Sequence, residues 1–292
     1  MPSYLLQISL MVLLVKSTTV IAQNPDFEQW KRERNAEIVA EDGWLNLAGL
    51  LWLESGDTHL IPIGKDSLAL AQKASKKELG KFQVGNDTVL FIAAKRKKVF
   101  AEGRQVAELL QYPLEKNGQY IYLNSGRWKW SVIKRGDRYG ARIRDLQHPA
   151  LENFEPIPTY DYDSNWKFKA FFEPRFNEFI NITNVLGQVI EWRVMGILTF
   201  EIDGKRQSLI TLEDLGKLFV IFSDETNGKE TYPSGRYLYV DFPDKSGNTT
   251  IDFNFAYNPP CAFTAFATCP IPPKENRLDF EIEVGERMPE GH

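Results

Sequence analysis

Arg127-Trp128-Lys129-Trp130-Ser131-Val132-Ile133 and Tyr139-Gly140-Ala141-Arg142-Ile143-Arg144 flank the turn signal Gly136-Asp137. Two short runs rich in aromatic and β-branched residues, joined by turn chemistry, predict a β-hairpin. The pattern recurs outward along the chain. Strand-like runs are expected at 88–93, 119–123, 166–172, 189–202, 217–222, 236–242, 250–255 and 278–284. Gly85-Asn86, Asn117-Gly118, Asp203-Gly204, Asn227-Gly228 and Ser246-Gly247 supply turns among them. Gly43 to Leu53 is almost continuously apolar, which suits a strand or bend buried on both faces. Helix and strand patterns do not alternate, so a doubly wound parallel sheet is disfavoured. The expectation is a mainly β protein, a single antiparallel β-sandwich or barrel-like domain over residues 42–288.

An N-terminal amphipathic helix is expected over 23–41, and a short tail over 289–292. Pro25 and Asp26 supply helix-start chemistry, Phe27, Trp30 and Ile38 fall near one face, and Gly43 stops the helix. Charged residues fill the remainder, which places it on the surface. The stretch 147–165, with three prolines and several acids, reads as either an internal boundary or a long loop. Before the helix, Leu5 to Val15 is an apolar run broken only by Gln7 and Ser9. It is shorter than the about 20 residues a membrane-spanning helix needs. Val20-Ile21-Ala22 then offers a cut before Gln23, although no Lys or Arg precedes the run. Residues 1–22 are therefore expected to be a cleaved signal peptide, and the chain to be periplasmic or secreted with no membrane span after removal. No lipoprotein cysteine follows the cut.

The 292 residues are 43% hydrophobic and 25% charged, enough to bury a sizeable core. With 35 basic against 39 acidic residues, nucleic acid is not an expected partner. The basic run Lys95-Arg96-Lys97-Lys98 reads as a solvated hairpin. Three histidines and two cysteines exclude many-ligand zinc modules and disulfide-dense scaffolds. Phosphate-loop, H-E-x-x-H and G-x-S-x-G motifs are absent. Asp161-Tyr162-Asp163-Ser164-Asn165 begins like a calcium loop, but Trp166 stands where glycine is needed and Phe172 where glutamate is needed. No metal site is expected, and no cofactor is indicated.

Four polar stretches remain. Strand alternation puts Arg142 and Arg144 on one face, where two guanidiniums can hold a carboxylate or phosphate. The plainer alternative is ion pairing to the protein's own acids. In Asp252-Phe253-Asn254-Phe255 the same alternation pairs Asp252 with Asn254 and the phenylalanines opposite. Asp224 and Thr226 lie in a polar loop after an apolar strand, and Arg236 opens the next one; they cap the loop or line a pocket. Tyr257 to Leu278 contains five prolines and both cysteines. In an oxidising compartment Cys261 and Cys269 form a disulfide by default, stabilising the fold by roughly 2.5 kcal/mol for so short a loop. Two buried thiols, or a metal or redox role, remain as alternatives.

These stretches carry a resemblance. Gly43-Trp44-Leu45-x-Leu47-x-Gly49-Leu50-x-Trp52-Leu53, Arg138-Tyr139-Gly140-x-Arg142-x-Arg144-Asp145, the segment from Asp224 to Leu238, and Asp252 through Asn258-Pro259-Pro260-Cys261 and Thr268-Cys269-Pro270 to Glu286 resemble the bacterial and archaeal family catalogued as domain of unknown function 1684. The resemblance spans about Trp30 to Glu286. It implies that both cysteines belong to the family pattern. It transfers no catalytic residue, because the family's activity is uncharacterised.

Two functional readings follow. In the first, Arg142, Arg144, Asp224, Thr226, Arg236, Asp252, Asn254 and Asn258 gather around the Cys261–Cys269 loop. They then bind a small anionic or polar ligand, with Asp224 or Asp252 as base and hydrolysis as one possible reaction. In the second, the protein is non-catalytic, and the same groups form a buried network that, with the cysteine pair, only stabilises the fold.

Overall fold

The computed structural model describes residues 24–113 and 119–289. The expected signal peptide, the Asn117-Gly118 turn and all but the first residue of the expected tail lie outside the described residues. The chain is mainly β, and every pair of hydrogen-bonded strands is antiparallel.

The predicted hairpin is present as Trp128–Arg135 and Arg138–Asp145, with Arg135 opposite Arg138 at the turn and Ser131 opposite Arg142. Leu47–Leu53, from the apolar stretch, pairs along the other edge of Arg138–Asp145. These strands belong to a six-stranded sheet, and a five-stranded sheet faces the same core. Side-chain alternation decides which residues enter that core. Tyr139, Ala141 and Ile143 enter it beside Trp128, Trp130 and Val132. Phe82, Phe91 and Trp130 form its aromatic centre, with successive ring centroids 5.1 Å apart. Arg142 and Arg144 consequently lie on the opposite face of the sheet.

A second body is built on a seven-stranded sheet. Lys217–Phe222 is buried on both faces. Leu218, Val220 and Phe222 enter one hydrophobic cluster with Phe200, Phe253 and Ile282, while Phe219 and Ile221 enter another with Tyr237 and Cys269. Arg236–Val240 divides the same way, so Leu238 and Val240 join the first cluster and Tyr237 the second, with Tyr239 packed against it.

Three strand expectations are corrected, two of them in this body. The strand expected over 250–255 ends at Asp252, and Phe253–Phe255 turns into a 3-10 helix capped by the Asp252 side chain. The run 278–284 is not a strand: its Ile282 and Val284 carbonyls accept hydrogen bonds from the Arg236 guanidinium instead of from a neighbouring strand. In the first body, the run expected over 119–123 is a short strand, Leu123–Ser125.

The N-terminal helix runs Pro25–Val39, and the Asn24 side chain accepts from the Asp26 and Phe27 amides at 3.0 and 3.2 Å. It docks through Phe27, Trp30, Arg34 and Ile38, at helical spacing. One member of that stripe is charged: Arg34 is buried, not a surface residue, and bonds Glu286 at 2.9 Å and Glu37 at 2.7 Å. Gly43 ends the helix region by close approach, because a Cβ there would stand 2.4 Å from the Ile38 carbonyl oxygen. The segment 147–165 crosses between the two bodies and is fastened by Ile157 N–H to Asn35 Oδ1 at 2.9 Å and Tyr160 N–H to the Gly285 carbonyl at 3.0 Å.

Candidate functional site

Arg142 and Arg144 point away from the first core, towards the second body. Both guanidiniums lie over the Trp44 ring, 5.1 and 5.8 Å from its centroid. Their roles then diverge. Arg144 Nη1 donates to the Gly43 carbonyl and to Asn46 Oδ1, and Asn46 in turn donates to the Ala40 and Glu41 carbonyls. It pins the loop that leaves the helix. Arg142 is 7% exposed, and among the described residues its guanidinium has no hydrogen-bond acceptor and no carboxylate partner. Burial, reinforced by the charges of Arg135 and Arg144, pulls it down to about 10. Burial also lowers Arg144 from its ordinary value.

Arg142 opens into a cleft of about 440 Å³ at the junction of the bodies. Its wall on the second body is aromatic. Phe219 stands 5.1 Å from both Tyr237 and Tyr239, and Tyr257 stands 5.8 Å from each tyrosine. Burial raises the Tyr237 and Tyr257 phenols well above their ordinary value. Burial and then the hydrogen bond to Asp214 raise Tyr239. All three therefore remain protonated at neutral pH. The Tyr237 hydroxyl donates to the Pro270 carbonyl at 2.9 Å, and that of Tyr239 to Asp214 Oδ2 at 2.5 Å.

The helix supplies one side of the cleft. The Arg34 guanidinium lies 4.7 Å from the Tyr257 centroid. Burial works against its charge, but the attraction of Glu286 and Glu37 overrides this and raises its pKa. The proline-rich loop supplies another side. Cys261 and Cys269 sit at disulfide distance, with Cα atoms 6.1 Å apart, and Cys269 faces the cleft. Thr264 Oγ1 donates to the Leu47 carbonyl at 3.0 Å, and Arg135 Nε donates to Thr268 Oγ1 at 3.1 Å, tying this loop to the first body. Arg135 lines the cleft beside Arg142 and has no carboxylate partner among the described residues.

Of the residues singled out from sequence, Arg142, Asn258 and Cys269 share the cleft, with Arg144 behind Trp44. Asn258 is anchored by its amide to Glu286 Oε2 and by Nδ2 to the Arg287 carbonyl, each at 2.7 Å, while its Oδ1 has no partner. Asp224, Thr226 and Arg236 lie elsewhere. They form a buried network in which Arg236 Nη2 bonds Asp224 Oδ2 at 2.8 Å, and Asp224 Oδ1 accepts from the Thr226 amide at 2.9 Å and from its hydroxyl. Alternation along Arg236–Val240 explains the separation: Arg236 takes the Leu238 face, and the tyrosines take the cleft face. Asp252 and Asn254 form a third group. Asn254 donates to the Asp163 carbonyl and accepts from the Asp163 amide, each at 2.8 Å, and bonds Asp252 Oδ1 at 2.8 Å. Neither Asp252 nor Asn254 bonds Arg142 or Arg144.

Sequence reading missed Arg34, Glu37, Trp44, Arg135, Asp214 and the tyrosines as cleft residues, and Glu286 as the anchor of Arg34. A usable signal existed for one pair: Tyr237 and Tyr239 are two apart in a strand and so share a face. Asp214 and Glu286 carry no such signal. His59 pairs with Glu78 at 2.7 Å, and His148 caps a helical turn; neither lines the cleft. Among the described residues, no three His, Cys, Asp or Glu side chains are grouped as a metal site.

No curated protein matches the chain. A solution NMR structure of an uncharacterised protein from Haloarcula marismortui is similar, with 26% identity, a TM-score of 0.40, and coverage of 48% of this chain and 80% of that one. The family match is narrower than the resemblance read from sequence, and the Gly43 and Arg138 landmarks fall outside it. Residues 152–287, which include the aromatic wall and the cysteine loop, match the family described as "Protein of unknown function (DUF1684)".

Proposed function

We propose that the protein binds a small anionic ligand in the cleft between its two bodies, with Arg142 as the anion-holding group. One observation carries this reading: a buried guanidinium, without acceptor or carboxylate among the described residues, opening into an aromatic cleft. Burying an unpaired charge is costly, and folds retain such groups chiefly where a ligand completes them. A cleft of about 440 Å³ suits a small molecule. Binding without turnover is favoured over hydrolysis, because burial holds the three phenols protonated and Thr268 Oγ1 is engaged by Arg135. The non-catalytic structural reading describes a different part of the molecule, the Asp224–Arg236 network.

The test is calorimetric titration with benzoate and with phenyl phosphate. At least one binds the wild type, and Arg142→Met abolishes that binding while the variant melts cooperatively. Failure of both probes to bind, or equal binding by the variant, overturns the reading. Export is proposed with it, supported by the apolar run before Gln23 and by the cysteine pair at disulfide distance. N-terminal sequencing of the periplasmic or secreted fraction is then expected to begin at Gln23; a chain retained in the cytoplasm and beginning at Met1 contradicts it.

A further inference from the structure

The cleft holds a second incomplete group. Asp214 ends the strand Lys205–Asp214 on the second body, just before Leu215, whose φ of 48° turns the chain into Lys217–Phe222. Its Oδ2 accepts from the Tyr239 hydroxyl. Among the described residues nothing else bonds this carboxylate, and no cation lies within 4.0 Å of it. Arg142, on the first body, is likewise unpartnered. An unpaired acid and an unpaired base therefore line one cleft without forming an ion pair with each other. The surface they share with the cleft is aromatic, made by the rings of Phe219, Tyr237, Tyr239 and Tyr257, of which Tyr239 and Tyr257 lie nearly parallel, 22° apart.

These features set requirements on the occupant. The Arg142 guanidinium has one face over Trp44, which leaves its N–H edge to donate; a planar carboxylate matches such an edge with two parallel hydrogen bonds. The Asp214 carboxylate asks for the opposite, a cationic donor such as an ammonium group. It also disfavours additional negative charge, and so selects against a phosphate dianion. The aromatic wall asks for a flat ring between the two.

Resting on the anion reading of the cleft, we propose that its ligand class is a ring-bearing zwitterion, with a carboxylate on Arg142 and an ammonium on Asp214. Four probes with one ring test this by calorimetry: benzoate, benzylamine, phenyl phosphate and 4-(aminomethyl)benzoate, which carries both charges at opposite ends. The expected result is that 4-(aminomethyl)benzoate binds the wild type about tenfold tighter than benzoate, or binds where benzoate is not measurable, as one added charge-assisted contact implies. In the isosteric Asp214→Asn variant the two affinities converge. Equal affinities in the wild type, a preference for phenyl phosphate over both carboxylates, or a preference that survives Asp214→Asn overturns the zwitterion class while leaving the anion site standing. If no anionic probe binds the wild type, the anion site falls and the zwitterion class with it. Should Asp214→Asn fail to fold, the wild-type ratios alone decide.

Discussion

Replacing Arg142 with methionine is expected to make the protein more stable, the opposite of the usual outcome for a core substitution. The guanidinium is held at about 10, well below the ordinary arginine value. At 1.36 kcal/mol per tenfold, carrying its charge in the native state costs about 3 kcal/mol. Methionine fills a similar volume with no charge to desolvate, but it forfeits the contact with Trp44, worth about 0.5–2 kcal/mol. The net expectation is a gain of about 1–2.5 kcal/mol, or roughly 2–8 °C in melting temperature for a chain of this size. Arg144→Met is the internal control. Arg144 satisfies the Gly43 carbonyl and Asn46 Oδ1 in buried surroundings, so its loss is expected to destabilise by about 2–5 kcal/mol.

The pH dependence has a definite sign. Below about pH 10 both native and unfolded chains keep the Arg142 proton, and the gap between wild type and R142M is constant. Above about pH 10 the native state releases the proton before the unfolded state does, so the unfolded state binds more protons and wild-type stability rises relative to the variant. The gap therefore narrows as pH rises. Urea unfolding at pH 7 and at pH 10.5 without added ligand measures it. A variant less stable than wild type at pH 7, or a gap that widens at pH 10.5, would refute the claim that Arg142 is an uncompensated charge.

Two further outcomes concern the rest of the scaffold. Asp224→Asn leaves Arg236 buried without its carboxylate, and is expected to cost about 3–5 kcal/mol in urea unfolding; a loss under about 1 kcal/mol would mean the two carbonyls on Arg236 already suffice. Replacing Cys261 and Cys269 together by serine opens a loop with a sequence separation of 8, and should lower stability by roughly 2–3 kcal/mol. The native wild type should take up no alkylating reagent before reduction; two added groups per chain would contradict the disulfide.

The β architecture was legible because its signals are local. The hairpin from Trp128 to Asp145 declares itself by strand chemistry on both sides of Gly136-Asp137, and a period of two then assigns Arg142 and Arg144 to the face opposite Ile143. The same rule failed at 252–255, where the Asp252 side chain reaches the Asn254 amide and draws the backbone into a 3-10 turn. An aspartate competing for its own backbone two residues on is a local event, but it is indistinguishable by pattern from a strand carboxylate. At 278–284 the alternation was strand-like, yet the carbonyls were claimed by a guanidinium 46 and 48 residues away. The period of two could not reveal that, because it describes faces and not hydrogen-bond partners.

Arg142 and Arg236 show why the candidate site was only half readable. Each is a strand arginine flanked by apolar or aromatic neighbours, and each is buried. What separates them is the supply of acceptors. Arg236 meets one carboxylate and two backbone carbonyls from a segment that left the sheet to reach it. Around Arg142 no carboxylate among the described residues lies within ion-pair distance, and Glu37, which lines the same cleft, is committed to Arg34 together with Glu286. Glu286 thus holds the helix and Asn258 in place, and among the described residues Arg142 has no counter-charge. Arg142 stays without an ion-pair partner among the described residues because the nearby Glu37 carboxylate and Glu286 are already engaged by Arg34. That allocation is settled by tertiary contacts such as Arg34–Glu286, 252 residues apart in sequence, and no local motif records it.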